Sequence, residues 1–164
     1  MNRSIISEIK SLEAKLRYLK AELDSIYEIK TLLNSSFREG NGSGESASPV
    51  ERYIMKIEEY YEEIGMLSEQ LTEKRKKLWI IVSSFPDSRM IDIVSLRLRG
   101  TNNLSEIGQK LSTSERTVRR VLDKAFQMLN DRYNDCEFMK FVDIAYEKDV
   151  SLNEVLPEKF LKIF

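Results

Sequence analysis

The sequence predicts an all-α protein in three parts. They are a long antiparallel coiled-coil helical hairpin over residues 1–82, a small helical module over 83–132, and a short helical C-terminal extension over 133–164. Three observations predict this. Apolar residues recur at alternating spacings of four and three through the first half of the chain. Glycine and proline are scarce, six and three in 164 residues, while 32% of residues are charged, a balance that favours long helices over sheets. Two polar breaks, "NSSFREGNGSGESASP" and "SSFPDS", divide the chain into helical runs.

The first run sets Ile5, Ile9, Leu12, Leu16, Leu19, Leu23, Ile26, Lys30 and Leu33 in one seam. So narrow a stripe wants one partner helix rather than a broad core. No proline or glycine interrupts residues 2–39, and a 30-residue helix spans about 45 Å. Residues 34–49 hold three glycines and five serines and read as a flexible loop. The pattern resumes with Val50, Ile54, Ile57, Tyr61, Ile64, Leu71 and Leu78, with Ser68 and Arg75 as polar interruptions. Pro49 suits the first turn of this helix and Ser48 its N-cap. Two helices of similar length joined by a flexible loop pair antiparallel. The alternative is that each pairs with a partner chain in a dimer. The run Lys74–Lys77, "KRKK", reads as a solvated face near the helix C-terminus, and second as a phosphate contact.

Pro86 stops the second long helix, and Asp87 or Ser88 can cap the next. Met90, Ile91, Val94, Leu96 and Leu98 form the apolar surface of that helix, and Gly100 ends it. A further helix is expected over Leu104–Leu111.

Composition excludes much chemistry. With no histidine there is no histidine base, no Ser-His-Asp triad and no Cys/His zinc site, so no enzymatic activity, cofactor or metal is expected. The one cysteine, Cys136, reads as a half-buried small residue, and a single cysteine closes no internal disulfide. The N-terminus lacks the apolar run of a signal peptide. No apolar stretch approaches the ~20 residues of a membrane span, so a cytoplasmic protein without membrane contact is expected.

The stretch "LSEIGQKLSTSERTVRRVLDKAF", Leu104–Phe126, has the residue sizes of a helix-turn-helix. Two helices crossing steeply need a small residue at their contact, and Gly108 stands there. Ile107 and Leu111 point inward from the first helix, Val118, Val121 and Leu122 from the second. Ser112 takes a turn position often held by glycine, and Ser114 can cap the second helix. That helix then presents Glu115, Arg116, Thr117, Arg119, Arg120 and Lys124 to solvent. A core-only helix pair has no need of three arginines within five residues. Such a face suits the major groove of double-stranded DNA, where arginine pairs with guanine or clamps a phosphate. Net charge is −1 for the whole chain, yet Asp87–Arg132 carries nine basic and six acidic residues, +3. The excess is small and implies help from a second copy or another protein.

Phe85–Leu129 resembles region four of bacterial sigma-70-type factors. "FPDSRMIDIVSLRLRG" looks like the helix that precedes their helix-turn-helix. "LSEIGQKLSTSERTVRRVLDKAFQML" looks like the helix-turn-helix itself, with "TVRR" in the recognition helix and Ala125 and Leu129 beyond it. Gly108 stands where that family carries alanine, a change expected to be sterically harmless and to cost ~1 kcal/mol of helix propensity. Nothing resembles the region that binds the −10 element, so a full sigma factor is not expected. A long amphipathic front half joined to such a module is similar to small phage and prophage regulators of the RinA and ArpU type, over roughly residues 1–130. The resemblance implies control of phage late or packaging genes. It implies that Ser114, Glu115, Arg116, Thr117, Arg119 and Arg120 face DNA, and the likeness to sigma region four adds RNA polymerase as a candidate partner.

The tail from Tyr133 onward is acidic, seven acidic to four basic residues. Phe138, Phe141, Val142, Ile144 and Tyr146 suggest an amphipathic helix, and "SLNEVLPEKFLKIF" a short helix broken at Pro157. The tail either packs on the module and enlarges its core, or serves as a dimerisation or polymerase contact or as a mask over the recognition helix. The reading as a whole is a sequence-specific DNA-binding transcriptional regulator, acting as a homodimer or other oligomer. The alternative is a protein-interaction adaptor, or a polymerase-binding decoy without specific DNA binding.

Overall fold

The computed structural model describes residues 4–36, 49–100 and 103–161, and every regular element among them is helical. In chain order these are α1 (Ile5–Ser36), α2 (Pro49–Ser83), α3 (Ser88–Leu98), α4 (Leu104–Lys110), α5 (Glu115–Asn134), α6 (Cys136–Lys148), α7 (Leu152–Val155) and α8 (Glu158–Leu161). No described helix is long and apolar enough to cross a membrane. The chain forms two compact units, Glu8–Glu73 and Met1–Ser7 with Lys74–Phe164.

In the Glu8–Glu73 unit, Ile9, Leu12, Leu16, Leu19, Leu23 and Ile26 of α1 are buried along one stripe, as their four-and-three spacing requires. Leu23 and Ile26 form a cluster with Ile57 of α2, and Tyr53, Tyr60 and Ile64 pack against it. Lys15 and Leu19 lie beside Tyr60 and Glu63. Earlier residues of α1 thus meet later residues of α2. Mid-helix hydroxyls are satisfied locally: Ser25 donates to the Ala21 carbonyl at 3.1 Å and Thr31 to the Tyr27 carbonyl at 2.9 Å. α1 continues through Ser36 and α2 opens at Pro49. Residues 37–48, with the expected Ser48 cap, lie outside the described residues, as do the side chains of Leu33 and Val50.

The seam of α2 differs from the one expected. Ile54 and Tyr61 are exposed, at 39% and 53%, while Tyr53, Tyr60 and Leu67 turn inward with Ile57, Ile64 and Leu71. The shift of one residue has a physical reason. The expected register places Ser68 in the seam, whereas the observed one places Leu67 there. Burying a leucine side chain is worth ~1.5–3 kcal/mol, and burying an unpaired hydroxyl costs energy.

In the second unit Asp87 caps α3, accepting from the Arg89 N–H at 2.9 Å, and Asn103 caps α4 through Ser105. Met90, Ile93 and Val94 are the buried residues of α3, and Ile91, Leu96 and Leu98 are half-buried. Gly100 beyond the helix has φ +102°, a conformation that favours glycine. On α5 the buried stripe is Val118, Leu122, Ala125, Leu129 and Arg132. The last of these is a charged residue in a core position. Its guanidinium donates to Ser84 Oγ at 2.7 Å. It lies 5.1 Å from the Phe85 ring centre and 5.3 Å from that of Phe138. Burial lowers its pKa to about 10.

The tail shares this core. Asp135 caps α6 through the Glu137 and Phe138 N–H groups, and Phe138, Val142 and Ala145 are buried. α7 and α8 are separated at Pro157, and Phe160 meets the edges of Phe138 and Phe141 at centroid distances of 5.9 and 5.8 Å. Arg99, Arg119 and Arg120 stay exposed, so the described tail covers none of them.

Arg132→Ala removes a charge-assisted hydrogen bond and two ring contacts at once. It is expected to destabilise this unit by roughly 2–4 kcal/mol, and Arg132→Lys by less, since the ammonium keeps the charge but loses the flat stacking surface. Urea unfolding followed by the fluorescence of Trp79, the one tryptophan and a member of this unit, checks both.

Candidate nucleic-acid interface

The turn between α4 and α5 is built on close backbone approach. The Thr113 N–H donates to the Gly108 carbonyl at 2.8 Å. A Cβ placed on Gly108 would lie 2.7 Å from the Thr113 carbonyl oxygen, a distance that forces the turn to move. Alanine at 108 is therefore not a harmless exchange in this chain. The small residue is required because the turn lies directly on the helix. Ser112 has φ +49°, so it holds the left-handed conformation of the glycine whose place it takes. Within 3.5 Å, Arg89 of α3 reaches the Leu111 carbonyl at the same turn, a link with no signal in the sequence.

Ser114 then caps α5, its Oγ accepting from the Thr117 N–H at 3.2 Å. Ile107, Val118 and Leu122 are fully or nearly fully buried, and Leu111 and Val121 half-buried, so the first turns of α5 have a defined inner side. Arg116, Arg119 and Arg120 are exposed. Residues three and four apart share a helix face, so these three guanidinium groups form one cationic patch on the N-terminal half of α5.

The other candidate residues behave differently. Ser114 and Thr117 have their hydroxyls 2.9 Å apart inside the cap, and Thr117 is half-buried, so both shape the helix start. Glu115 pairs with Arg119 one turn on, at 3.2 Å, with both side chains more than half exposed. Lys124, two turns beyond Arg116, is exposed and also lines a pocket of about 510 Å³ with Met90, Met128, Phe138 and Phe160, rimmed by Asp87, Asp131 and Asp135. It belongs to the edge of that pocket as much as to the arginine patch.

The basic run of α2 is only partly turned to solvent: Arg75 and Lys76 are exposed, Lys74 and Lys77 half-buried. Lys74 Nζ donates to the Tyr133 hydroxyl at 3.4 Å. Lys76 and Lys77 stand 5.7 and 5.4 Å from the Tyr146 ring centre, and Lys77 pairs with Asp143 at 2.7 Å. These lysines dock the last turns of α2 onto α5 and α6. Cys136 is exposed at the start of α6, not half-buried, because it stands two positions before the buried Phe138, which puts the two on opposite sides of the helix. Among the described residues no three acidic or cysteine side chains gather as a metal site.

No protein-family model matches the chain, and no curated protein and no solved structure matches it.

Two substitutions test the turn. Gly108→Ala, which in an unconstrained helix gains ~1 kcal/mol, is expected here to destabilise by about 1–3 kcal/mol. Ser112→Gly removes the left-handed penalty and is expected to stabilise by roughly 0.5–1 kcal/mol, part of the gain being offset by the freer unfolded chain. Thermal and urea unfolding of both variants give the signs directly.

Proposed function

We propose that the chain is a sequence-specific DNA-binding transcriptional regulator in which α4, the turn and α5 act as a helix-turn-helix. α1 and α2 then form a coiled-coil hairpin for assembly. The observation that carries the reading is the exposed arginine patch on the capped N-terminal half of α5, directly after a turn tight enough to demand glycine at 108. A helix entering a major groove is read at its N-terminal residues, which is where Arg116, Arg119 and Arg120 lie. Their chemistry suits guanine O6 and N7 or phosphate oxygens. The module's +3 charge supplies the counterion-release part of the affinity. By its resemblance to RinA- and ArpU-type regulators, the target would be a promoter in phage or prophage DNA, with RNA polymerase beside it.

A second reading, an adaptor or polymerase-binding decoy, is favoured by one observation. The exposed large hydrophobic side chains of the described residues lie on the helical pair and not on the module.

The test is fluorescence anisotropy with the duplex upstream of the protein's own operon and a shuffled duplex, titrated in salt. The upstream duplex is expected to bind more tightly. Arg116→Ala/Arg119→Ala/Arg120→Ala is expected to lower the log–log salt slope by about 0.9 for each phosphate that an arginine no longer neutralises, and to erase the preference if the arginines read bases. Equal, weak binding to both duplexes, unchanged in the variant, would leave the adaptor reading standing alone.

A further inference from the structure

The large hydrophobic side chains exposed among the described residues run from Tyr18 to Met66, all within the Glu8–Glu73 unit. Taking the buried stripes as heptad positions a and d, with Leu23 and Ile57 at a and Ile26 and Tyr60 at d, three of them fall at position e: Tyr27, Ile54 and Tyr61. A pair of helices needs apolar residues only at a and d. An apolar e position in addition is the pattern of a helix that faces the core of a larger bundle. The three side chains form one patch across both helices. The Tyr27 and Tyr61 hydroxyls are 3.0 Å apart, and Ile54 lies two turns before Tyr61 on the same flank. Ile54 and Tyr61, which the sequence suggests for the seam with α1, thus form a second, overlapping seam.

Gly65 is an independent observation on this flank. It stands one turn after Tyr61, at position b, inside a continuous helix, where glycine costs ~1 kcal/mol relative to alanine. A Cβ on Gly65 would meet nothing within 4 Å, so no contact among the described residues requires a glycine there. A missing side chain on an outer face lets another backbone approach closely.

The charges of the flank complement each other in reverse. Asp24, Glu51 and Glu58 occupy b positions around the aromatic end. Lys10, Arg17 and Lys20 occupy b and e positions along the rest, interrupted by Glu13. A two-fold axis near the level of Tyr61 brings Glu58 of one copy toward Arg17 of the other and Glu51 toward Lys10, the self-complementarity that an isologous contact needs, with Arg17 and Lys20 close to the axis itself. The opposite flank carries Tyr18, Ile29, Leu32 and Met66. There an open groove lined by Lys15, Lys56, Glu59 and Glu63 replaces a continuous apolar patch.

We propose that the flank formed by Tyr27, Ile54 and Tyr61 is the interface of a homodimer, with the hairpins of two copies joined as a four-helix bundle and Gly65 at their closest approach. The proposal rests on the assembly role given to the helical pair above and is independent of whether α5 binds DNA. Sedimentation equilibrium of the full-length chain tests it. The wild type is expected to be a dimer. Ile54→Glu/Tyr61→Glu is expected to raise its dissociation constant by about 100-fold or more with the helical circular dichroism unchanged. Tyr18→Glu/Met66→Glu, on the opposite flank, is expected to remain a dimer. Arg17→Glu and Glu58→Arg are each expected to weaken the dimer, and the double exchange to restore it, which holds even if the apolar variant misfolds. A monomeric wild type, a dimer abolished only in Tyr18→Glu/Met66→Glu, or no restoration by the double exchange overturns the proposal. DNA binding measured by anisotropy stands or falls separately, since the arginines of α5 lie in the other unit.

Discussion

The Lys74–Phe164 unit depends on one buried cation. Arg132 occupies the last position of the inward stripe of α5, where the preceding four residues are all apolar. Its guanidinium ties the Ser84–Phe85 turn to α5 through Ser84 Oγ, and to α6 through the Phe138 ring. Removing a guanidinium from water is costly, and the depression of its pKa to about 10 records that cost. It remains protonated at neutral pH all the same. A hydrophobic residue of the same volume could supply equal stability, as buried ion sites often show. It could not supply a directional hydrogen bond to Ser84 while stacking on two rings. The arginine therefore sets where the chain leaves α2 and how α6 begins, in addition to filling space.

This arrangement divides α5 into two halves held in different ways. The C-terminal half is held from three sides: by Arg132, by Tyr133 under Lys74, and by the Asp135 cap that starts α6 at once. The N-terminal half is held from inside by Val118 and Leu122, and at its start by the Ser114 cap and the turn at Gly108. The result is a helix with a firmly held base and an exposed leading end, the arrangement that the proposed groove-reading role calls for. The basic run of α2 contributes to the base by lying over Tyr133 and Tyr146. The three lysines are directed at those rings, Lys77 also at Asp143, while Arg75 stays exposed.

The legible parts of the sequence are those where one local rule decides. The α1 stripe, the stops at Pro86 and Gly100, and the cap at Ser114 each follow from spacing, ring geometry or a hydroxyl one turn before an orphan N–H. The small residue at 108 is legible too, but not how tightly it is needed, since that depends on where the Thr113 carbonyl comes to rest. The register of α2 is ambiguous because its sequence supports two seams. Ile57 and Ile64 belong to both, and only the partner helix chooses between Tyr60 and Tyr61. The role of Arg132 is illegible for a different reason. An arginine near a helix C-terminus ordinarily suits the dipole and the solvent. Its burial follows from Phe85 and Phe138, which are 47 and six residues away in sequence.

The Glu115–Arg119 pair bears on how the candidate interface would work. Both side chains are more than half exposed, and an i,i+4 pair of that kind contributes only about 0.3–0.5 kcal/mol. A contact between Arg119 and a phosphate or a guanine exceeds that amount, so the pairing orients the arginine without withholding it. Three arginines and a local charge of +3 still make few phosphate contacts, and affinity from counterion release scales with their number. On the proposed reading, one module alone would bind weakly at physiological salt. Two modules in one dimer would then bind a second half-site as an intramolecular event, a gain of ~10²–10⁴ where the geometry lets both engage, without any new contact to DNA. The modest charge of the module and the outer seam of Tyr27, Ile54 and Tyr61 are compatible with the two proposals together, since a module of few phosphate contacts gains most from a second copy.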